Sequence, residues 1–320
     1  MTVLTKGFEK FIDSCDGINV YFVDKSNNVF DSDIASPVLA KFRKEFCDEF
    51  RRKYTNHDKF GVVPLSNYDE RKNTLYHFDF APKDMPFEFK LTQQVLDIKA
   101  TDNVPVYQAK NDKLSNISGV VILLKSAPLN KSMAFYQHIF PVSLLGPDKG
   151  LLNLTAHKTR LVELAQDVIK LNANFVFLQV KNAYFIEHVG TLETRLHFKE
   201  VIHSRAKIYS KKIEQTGLVS NMTKFNARID KETSFARKVV KVYKNSVVIK
   251  DKIPNADIVA FTEKKDYYKA LSAAATPTKD SFKLESIVSC KRFLDLLDDD
   301  FLKSELTQKD YISRVKDLAG

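Results

Sequence analysis

The sequence predicts a mixed α+β protein built from two domains. Short stretches in which apolar residues alternate with polar ones are typical of strands, and longer stretches with apolar residues every three or four positions are typical of helices. The chain has 320 residues, more than a usual single domain, and 44% of them are hydrophobic. We expect a mainly antiparallel sheet with helices in the N-terminal half, and a hairpin plus helices in the C-terminal half.

The N-terminal half begins with an amphipathic helix, because Leu4, Phe8, Phe11 and Ile12 recur at helical spacing. A hairpin with its turn at residues 26–28 follows. The next predicted elements are a helix at Ser36–Tyr54 and strands at Gly61–Pro64, Thr74–Phe80, Val104–Tyr107, Ile117–Leu124 and Met133–Phe140.

The run LLGPDKG at residues 144–150 contains two glycines and a proline, which favour a linker. We place the domain boundary here, between an N-terminal α+β domain at 1–148 and a C-terminal domain at 149–320. The expected elements of the second domain are a helix at Thr159–Asp167, a hairpin of Phe175–Val180 and Ala183–Ile186, helices at His197–Gln215 and Lys231–Asn245 (the latter capped by Asp230), a helix at Ile287–Leu297 and a short helix after Thr307.

The positive charge of the chain is concentrated in one segment. The net charge is +10, yet residues 1–150 hold 20 basic and 19 acidic side chains, whereas residues 199–252 hold 14 basic and 5 acidic ones. On the second of the two helices there, Arg237, Lys241 and Lys244 recur at i, i+4 and i+7, which predicts an exposed line of cations. The candidate DNA-binding residues are Lys207, Lys211, Lys212, Lys224, Arg228, Arg237, Lys238, Lys241 and Lys244.

Three interpretations of this basic segment remain open. A solvated helical face is the common fate of a charge run, and a scaffold whose basic face meets an acidic protein is a second possibility. DNA binding is favoured by the scarcity of acids and by the interleaved aromatic residues Tyr209, Phe225 and Tyr243. Because lysine predominates over arginine, we expect contacts to phosphates, without base recognition and with a steep dependence on salt.

The C-terminal half resembles a known family. The features that carry the resemblance are the strand pair within Phe175–Ile186, the basic helices, and above all the closing run FLDLLDDDFLKSELTQKDYISRVK at Phe293–Lys316. This pattern resembles the KwaB family, the cytoplasmic component of the two-gene Kiwa anti-phage defence system of bacteria. The similarity covers roughly residues 150–320.

The resemblance implies a DNA-binding effector that acts with KwaA, a small multi-pass membrane protein, and so is recruited from the cytoplasm to the inner membrane. It implies no catalytic motif and no residue-level pattern of DNA contacts. We further expect a homodimer, since a dimer axis adds the phosphate contacts of two modest basic faces. The N-terminal domain, with its charged helix face at Lys41–Lys53, is the candidate docking site for the partner.

A Mg²⁺-dependent nuclease is the alternative function. Asp79, Asp84 and the triplet Glu88-Phe89-Lys90 are similar to the D…E-x-K arrangement in which carboxylates on a β-hairpin hold the metal and a lysine positions the attacking water. This interpretation requires a strand that begins at Phe87–Lys90. The signal is weak, because E-x-K occurs by chance in most charged chains.

Other site classes have little support in the sequence. The cysteines at 15, 47 and 290 form no C-x-x-C pair, the seven histidines form no H-x-x-x-H motif, and the acids at 298–300 are expected to face water or to cap a helix. No nucleophile elbow, P-loop or dinucleotide loop occurs. We therefore expect no catalytic residue, metal or cofactor.

The sequence also favours a cytoplasmic protein without direct membrane insertion. Charged residues interrupt the first fifteen positions, as at Lys6, Glu9 and Lys10, so the segment does not read as a signal peptide. The longest apolar runs, such as Val120–Leu124, are far too short to cross a bilayer.

Overall fold

The computed structural model describes residues 3–55, 60–99, 101–108, 113–145, 154–157, 160–163 and 166–313. Its architecture is mixed α+β, as the sequence predicts, and it divides into two compact units. The first unit comprises Met1–Val63 and Lys72–Leu196, and the second comprises Pro64–Arg71 and His197–Gly320.

The division after Leu196 differs from the boundary expected at 148/149, which lies in a segment (146–153) outside the described residues. The reason is the hairpin at 175–186. It forms as predicted, but its strands pair with residues 134–136 on one side and with Tyr76 and His77 on the other. The hairpin therefore belongs to the sheet of the first unit.

The first unit is a large sheet with helices on both faces. Its helices are α1 (Val3–Asp13), α2 (Ser36–Tyr54), α3 (Glu88–Asp97) and α4 (Val189–Arg195). Its strands are β1 (Gly17–Asp24), β2 (Val29–Asp31), β3 (Gly61–Pro64), β4 (Thr74–His77), β5 (Ile117–Ser126), β6 (Lys131–His138), β7 (Leu144–Leu145), β8 (Leu154–His157), β9 (Arg160–Glu163), β10 (Val168–Ile169), β11 (Phe177–Val180) and β12 (Ala183–Ile186). The main sheet has the order β2-β1-β5-β6-β11-β12-β4-β3.

Alternating side chains of the sheet contact different helices. On one face, Phe135 of β6 packs edge-on against Phe46 and Phe50 of α2, with ring centroids 4.9 and 5.8 Å apart. On the other face, Phe89 of α3 stacks on Tyr184 of β12 at 4.1 Å. The central strand β5 is apolar on both faces, as its buried run Val120–Leu124 shows, and this is why helices cover the sheet on both sides.

The second unit is mainly helical. Its helices are α5 (Phe198–Glu214), α6 (Thr223–Lys231), α7 (Thr233–Asn245), α8 (Val247–Lys250), α9 (Asn255–Glu263), α10 (Lys269–Ser272) and α11 (Ile287–Leu297). Its strands are β13 (Val219–Asn221), β14 (Phe282–Lys283), β15 (Phe301–Lys303) and β16 (Asp310–Ile312). The helices predicted at 197–215 and 287–297 are confirmed.

Several local predictions are wrong. Arg160–Glu163 is a strand that pairs with Leu154–His157, where a helix was expected. Asp230 lies inside α6 and does not cap α7. The two helices are separated at Glu232, which is the N-cap residue of α7. After Thr307 the chain returns as β16 to pair with β15, since the cross-strand pairs Phe301–Ile312 and Leu302–Tyr311 favour a hairpin over a helix. Val106 makes only an isolated bridge, to Asp31.

Candidate nucleic-acid interface

Helices α5, α6 and α7 pack together and position the basic segment. Ser210 of α5 hydrogen-bonds Asn226 of α6, and Lys207 forms an ion pair of 2.7 Å with Asp230. The rings of Tyr209 on α5 and Tyr243 on α7 stack at 4.5 Å with an interplanar angle of 18°. These contacts fix the relative positions of the cations that the three helices carry.

Six exposed lysines lie on α5 and α6. Lys199 lies in the first turn of α5, and we call the other five the α5–α6 basic surface: Lys207, Lys211, Lys212, Lys224 and Lys231. Within the described residues, Lys207 is the one member of this set with an ion-pair partner. Lys212 Nζ lies 5.3 Å from the ring centroid of Tyr243, so a cation borders the tyrosine pair. The concentration of cations predicted from the sequence is therefore present on α5 and α6.

The exposed line of cations predicted along α7 is wrong. Lys238 contacts carboxylates of Asp295 and Asp300, the latter at 2.7 Å, and Lys241 lies 2.8 Å from Asp298. Lys241 is buried, and only a quarter of the Lys238 side chain is exposed. The three aspartates lie at and after the end of α11, which packs against α7 and brings the acids to the cations. We call these five side chains the acidic clamp.

The charges of the acidic clamp support one another. Burial alone lowers the pKa of Lys238, but the negative charges of Asp295 and Asp300 outweigh burial and leave the pKa raised. Burial likewise raises the pKa of Asp295, and the charge and hydrogen bond of Lys238 reverse that effect, with help from Tyr267 and Arg292. Both groups therefore remain charged in a partly dry site.

Apart from the exposed Lys224, three further candidate cations lie on α6 and α7, and each is at least partly buried. Arg228 is buried; its guanidinium donates to the Ile287 carbonyl at 3.0 Å and pairs with Glu232 at 2.8 Å. Arg237 lies over the ring of Tyr68, 4.9 Å from its centroid, and Lys244 is half-buried. The exposure expected of Arg228 is wrong because the residue joins α6 to the start of α11.

One of the three expected aromatic residues is also in the core. Phe225 is fully buried and packs edge-on against Phe235 and Phe293. Tyr209 and Tyr243 are half-buried, so parts of both rings reach the surface beside Lys212.

The strand required by the nuclease interpretation does not form. Glu88 begins α3, and Phe89 faces the core against Phe177 and Tyr184. Lys90 lies over the ring of Phe87 at 5.7 Å. Among the residues that the structure describes, no group of three or more His, Cys, Asp or Glu side chains is arranged to hold a metal ion.

The charged face of α2 is largely neutralised within the first unit. Arg51 pairs with Asp13 and Asp48 at 3.1 and 2.9 Å, and Lys53 pairs with Glu187 at 2.9 Å. The charged face of α2 therefore consists largely of ion pairs and is not a uniformly basic surface.

Comparison with known proteins identifies the family. The family described as Kiwa protein KwaB-like matches residues 114–307. The chain therefore belongs to the KwaB-like family. It is 28% identical over 315 residues to the Kiwa protein KwaB of Escherichia coli O55:H7 (strain RM12579 / EPEC), a match that covers 98% of this chain and 97% of that protein. No solved structure matches at a significant level.

As a member of the KwaB-like family, the chain is a component of Kiwa anti-phage defence, which agrees with the resemblance seen in its C-terminal half. Among the described residues, no helix of this KwaB-like chain is both long and apolar enough to cross a bilayer.

The role of the aspartates in the KwaB-like chain was missed from the sequence. The run Asp298–Asp300 was expected to face water or to cap a helix, yet Asp300 is buried. Its partner, Lys238, is 62 positions away along the chain. The available signal was the simultaneous presence of an acidic run and a basic helix in one small domain.

Proposed function

We propose that this protein binds DNA non-specifically through the α5–α6 basic surface and thereby blocks replication or transcription of invading phage DNA. Lysine ammonium groups contact phosphates as point charges, and such contacts carry no sequence information. The obstruction is physical: a protein held on the duplex by phosphate contacts stands in the way of a polymerase.

The observation that carries the proposal is that four lysines on α5 and α6 are exposed and lack a carboxylate partner in the part of the chain that the structure describes. Lys211, Lys212, Lys224 and Lys231 are exposed, and no carboxylate of the described residues pairs with them. Their mutual repulsion is relieved when a polyanion binds. The tyrosine pair beside Lys212 adds half-buried rings of the kind that contact nucleic acid.

We further propose that the protein acts as a homodimer together with a membrane partner resembling KwaA, which recruits it from the cytoplasm to the inner membrane. Five lysines per chain make a modest surface, and two copies on one duplex bind far more tightly than one. The N-terminal unit is the proposed docking site for the partner.

The test is a titration of linear duplex DNA at two salt concentrations, with and without Mg²⁺, scored for both shift and cleavage. Five phosphate contacts per chain predict a slope of log K against log salt of about −4 to −5. A slope near zero would refute DNA binding and favour an acidic protein as the partner of the basic surface. Cleavage that requires Mg²⁺ would replace the proposal with nuclease chemistry.

A further inference from the structure

A cavity of about 600 Å³ opens at one end of the main sheet of the first unit. One wall is α1, the opposite wall is the end of α3, and the sheet contributes the β5–β6 and β11–β12 turns. A volume of this size is typical of small-molecule sites. The basic surface of the second unit contributes none of its lining residues.

The floor of the cavity is apolar. Phe8 and Phe11 of α1 and Met133 of β6 form the floor, each almost fully buried, and Leu96 on the opposite wall and Val180 add further apolar surface. A floor of this composition accepts the aromatic or aliphatic body of a ligand, because such contact removes apolar surface from water.

Gly7 keeps the floor open. It lies inside helix α1, where glycine is less favourable than alanine by about 1 kcal/mol. A Cβ atom built on Gly7 meets no atom of the described side chains within 4 Å, so none of these groups requires the glycine. Since Gly7 is one of the residues that line the cavity, a larger side chain at this position would reduce the open space there.

The rim carries donors and positive charge. Lys131 and Lys181 are exposed, and within the described residues neither these ammonium groups nor the side chains of Asn130, Ser132 and Asn182 have a hydrogen-bond or ion-pair partner. The rim also contains the carboxylate of Asp97, both oxygens of which accept from the neutral amide Gln93 Nε2 at 3.0 Å, so the two lysines and one aspartate leave the rim with one net positive charge. The groups available to a ligand therefore favour an anion.

A buried glutamine holds the rim in place. Gln179 of β11 is completely buried; it accepts from Thr92 Oγ1 at 2.6 Å and donates to the carbonyl of Lys181 at 2.9 Å. It also donates to Gln93, which in turn holds Asp97. Lys181 has a φ of 54°, an uncommon conformation for lysine that the bond from Gln179 helps to fix. The rim is thus set before any ligand arrives.

We infer that this cavity binds a small soluble organic anion with an apolar body, its aromatic or aliphatic part on the Phe8–Phe11 floor and its acidic head between Lys131 and Lys181. The cavity volume, the vacant floor above Gly7 and the two unpaired ammonium groups carry this inference together. It stands independently of DNA binding.

The experiment uses two matched fluorescent probes on the full chain: 1-anilinonaphthalene-8-sulfonate, and N-phenyl-1-naphthylamine, which has the same rings without the sulfonate. We expect the sulfonate to bind at one site and more tightly than the neutral probe. Lys131→Gln and Lys181→Gln should each weaken sulfonate binding about two- to five-fold. Lys83→Gln, at an exposed lysine away from the cavity, should leave the affinity unchanged.

A second experiment fills the cavity with a tryptophan side chain and measures sulfonate binding again. The chain contains no tryptophan, so Gly7→Trp places a single indole whose blue-shifted emission reports that it occupies the cavity. This variant should lose the sulfonate site, and Leu96→Trp fills the cavity from the opposite wall. Equal binding of both probes, or unchanged binding in a variant with blue-shifted emission, would overturn the inference. Water-like emission from both tryptophan variants would also overturn it, because neither indole would then occupy a cavity. Binding of phosphatidylglycerol vesicles by the wild type but not by Gly7→Trp would overturn it as well, because the ligand would then be a lipid surface and not a soluble anion.

Discussion

The ammonium group of Lys238 lies 2.7 Å from a carboxylate oxygen of Asp300, whose side chain is only 1% exposed. Lys238 belongs to the basic segment in sequence but to the interior of the second unit in space. Its ion pairs with Asp295 and Asp300 connect α7 to the end of α11. The same two carboxylates neutralise its positive charge. The consequence is that the cations of the basic segment divide into a structural set and an exposed set, which respond differently to mutation.

Lys238→Met is expected to destabilise the second unit by about 3 kcal/mol, because it removes the cation that pairs with two largely buried carboxylates, those of Asp295 and Asp300. Urea unfolding of the variant and the wild type measures this difference. Lys211→Met is the matched control, since it removes an exposed lysine without a carboxylate partner in the described residues, and stability should not change. Equal stability of Lys238→Met and the wild type would show that the acidic clamp has no structural role.

The two sets should also differ in DNA binding. Lys211→Gln and Lys224→Gln should each weaken binding uniformly across DNA sequences and make the salt slope shallower by about 1, because each removes one phosphate contact. Lys241→Gln should lower stability while the folded fraction retains the wild-type salt slope, because Lys241 is buried against Asp298. The measurement is fluorescence anisotropy with two unrelated duplexes over a salt series. A slope altered by Lys241→Gln alone would reverse our assignment of the two sets.

The acidic clamp gives stability a defined dependence on pH. The pKa of Asp295 is lowered by Lys238 against the opposing effect of burial, so its contribution is complete above the unfolded value of about 3.9 and is lost as pH falls through the folded pKa. The pKa of Lys238 is raised, so its contribution is complete below about 10.4 and is lost as pH rises through the folded pKa.

Acid and alkaline titrations of unfolding free energy test this dependence. The wild type should have a plateau between these limits, and Lys238→Met should lose less free energy of unfolding on the acid side, because Asp295 then lacks the charge that holds its folded pKa below the unfolded value. Identical acid limbs for the two proteins would contradict the proposed coupling.

Local patterns predicted the elements of this protein better than their assembly. The helix at Ser36–Tyr54 and the helix at Ile287–Leu297 have the predicted bounds, because apolar spacing and flanking turn residues are local signals. The partners of the 175–186 hairpin were not predictable, since strand pairing joins residues far apart in sequence. For the same reason the cations of α7 were predicted to be exposed: helical spacing shows that Lys241 and Lys244 share a face but not that α11 covers it.

Gly119 of β5 provides a test of packing inside the main sheet. A Cβ atom at this position would lie 2.7 Å from Tyr136 Oη and 2.9 Å from two of its ring carbons. Tyr136 is stacked on Phe177 with centroids 5.2 Å apart, so the ring has little room to move. Gly119→Ala is therefore expected to destabilise the first unit by about 1–3 kcal/mol, measured by urea unfolding.

Gly7→Ala is the matched control for Gly119→Ala. The added Cβ meets no described side chain within 4 Å, and alanine is the better helix former, so this substitution should leave stability unchanged or raise it by up to about 1 kcal/mol. If both substitutions had the same effect, contact with Tyr136 would not be the reason for a glycine at 119.

Cys15 and Cys47, 32 positions apart in sequence, are joined by a side-chain hydrogen bond that makes them chemically unequal. The bond from Cys47 lowers the pKa of Cys15, with a further contribution from the charge of Arg43, whereas the same bond and burial raise the pKa of Cys47. Burial also raises the pKa of Cys290. Since the thiolate is the nucleophile, Cys15 should react first with iodoacetamide at neutral pH.

Peptide mass spectrometry after timed alkylation gives the order of reaction. Cys47→Ala removes the hydrogen bond, so the pKa of Cys15 should rise and its alkylation should slow at pH 7 but not at pH 10, where the thiolate predominates in both proteins. Cys290→Ala should leave the rate at Cys15 unchanged. Faster labelling of Cys47 than of Cys15 would mean that the hydrogen bond runs in the opposite direction, with Cys15 as the donor.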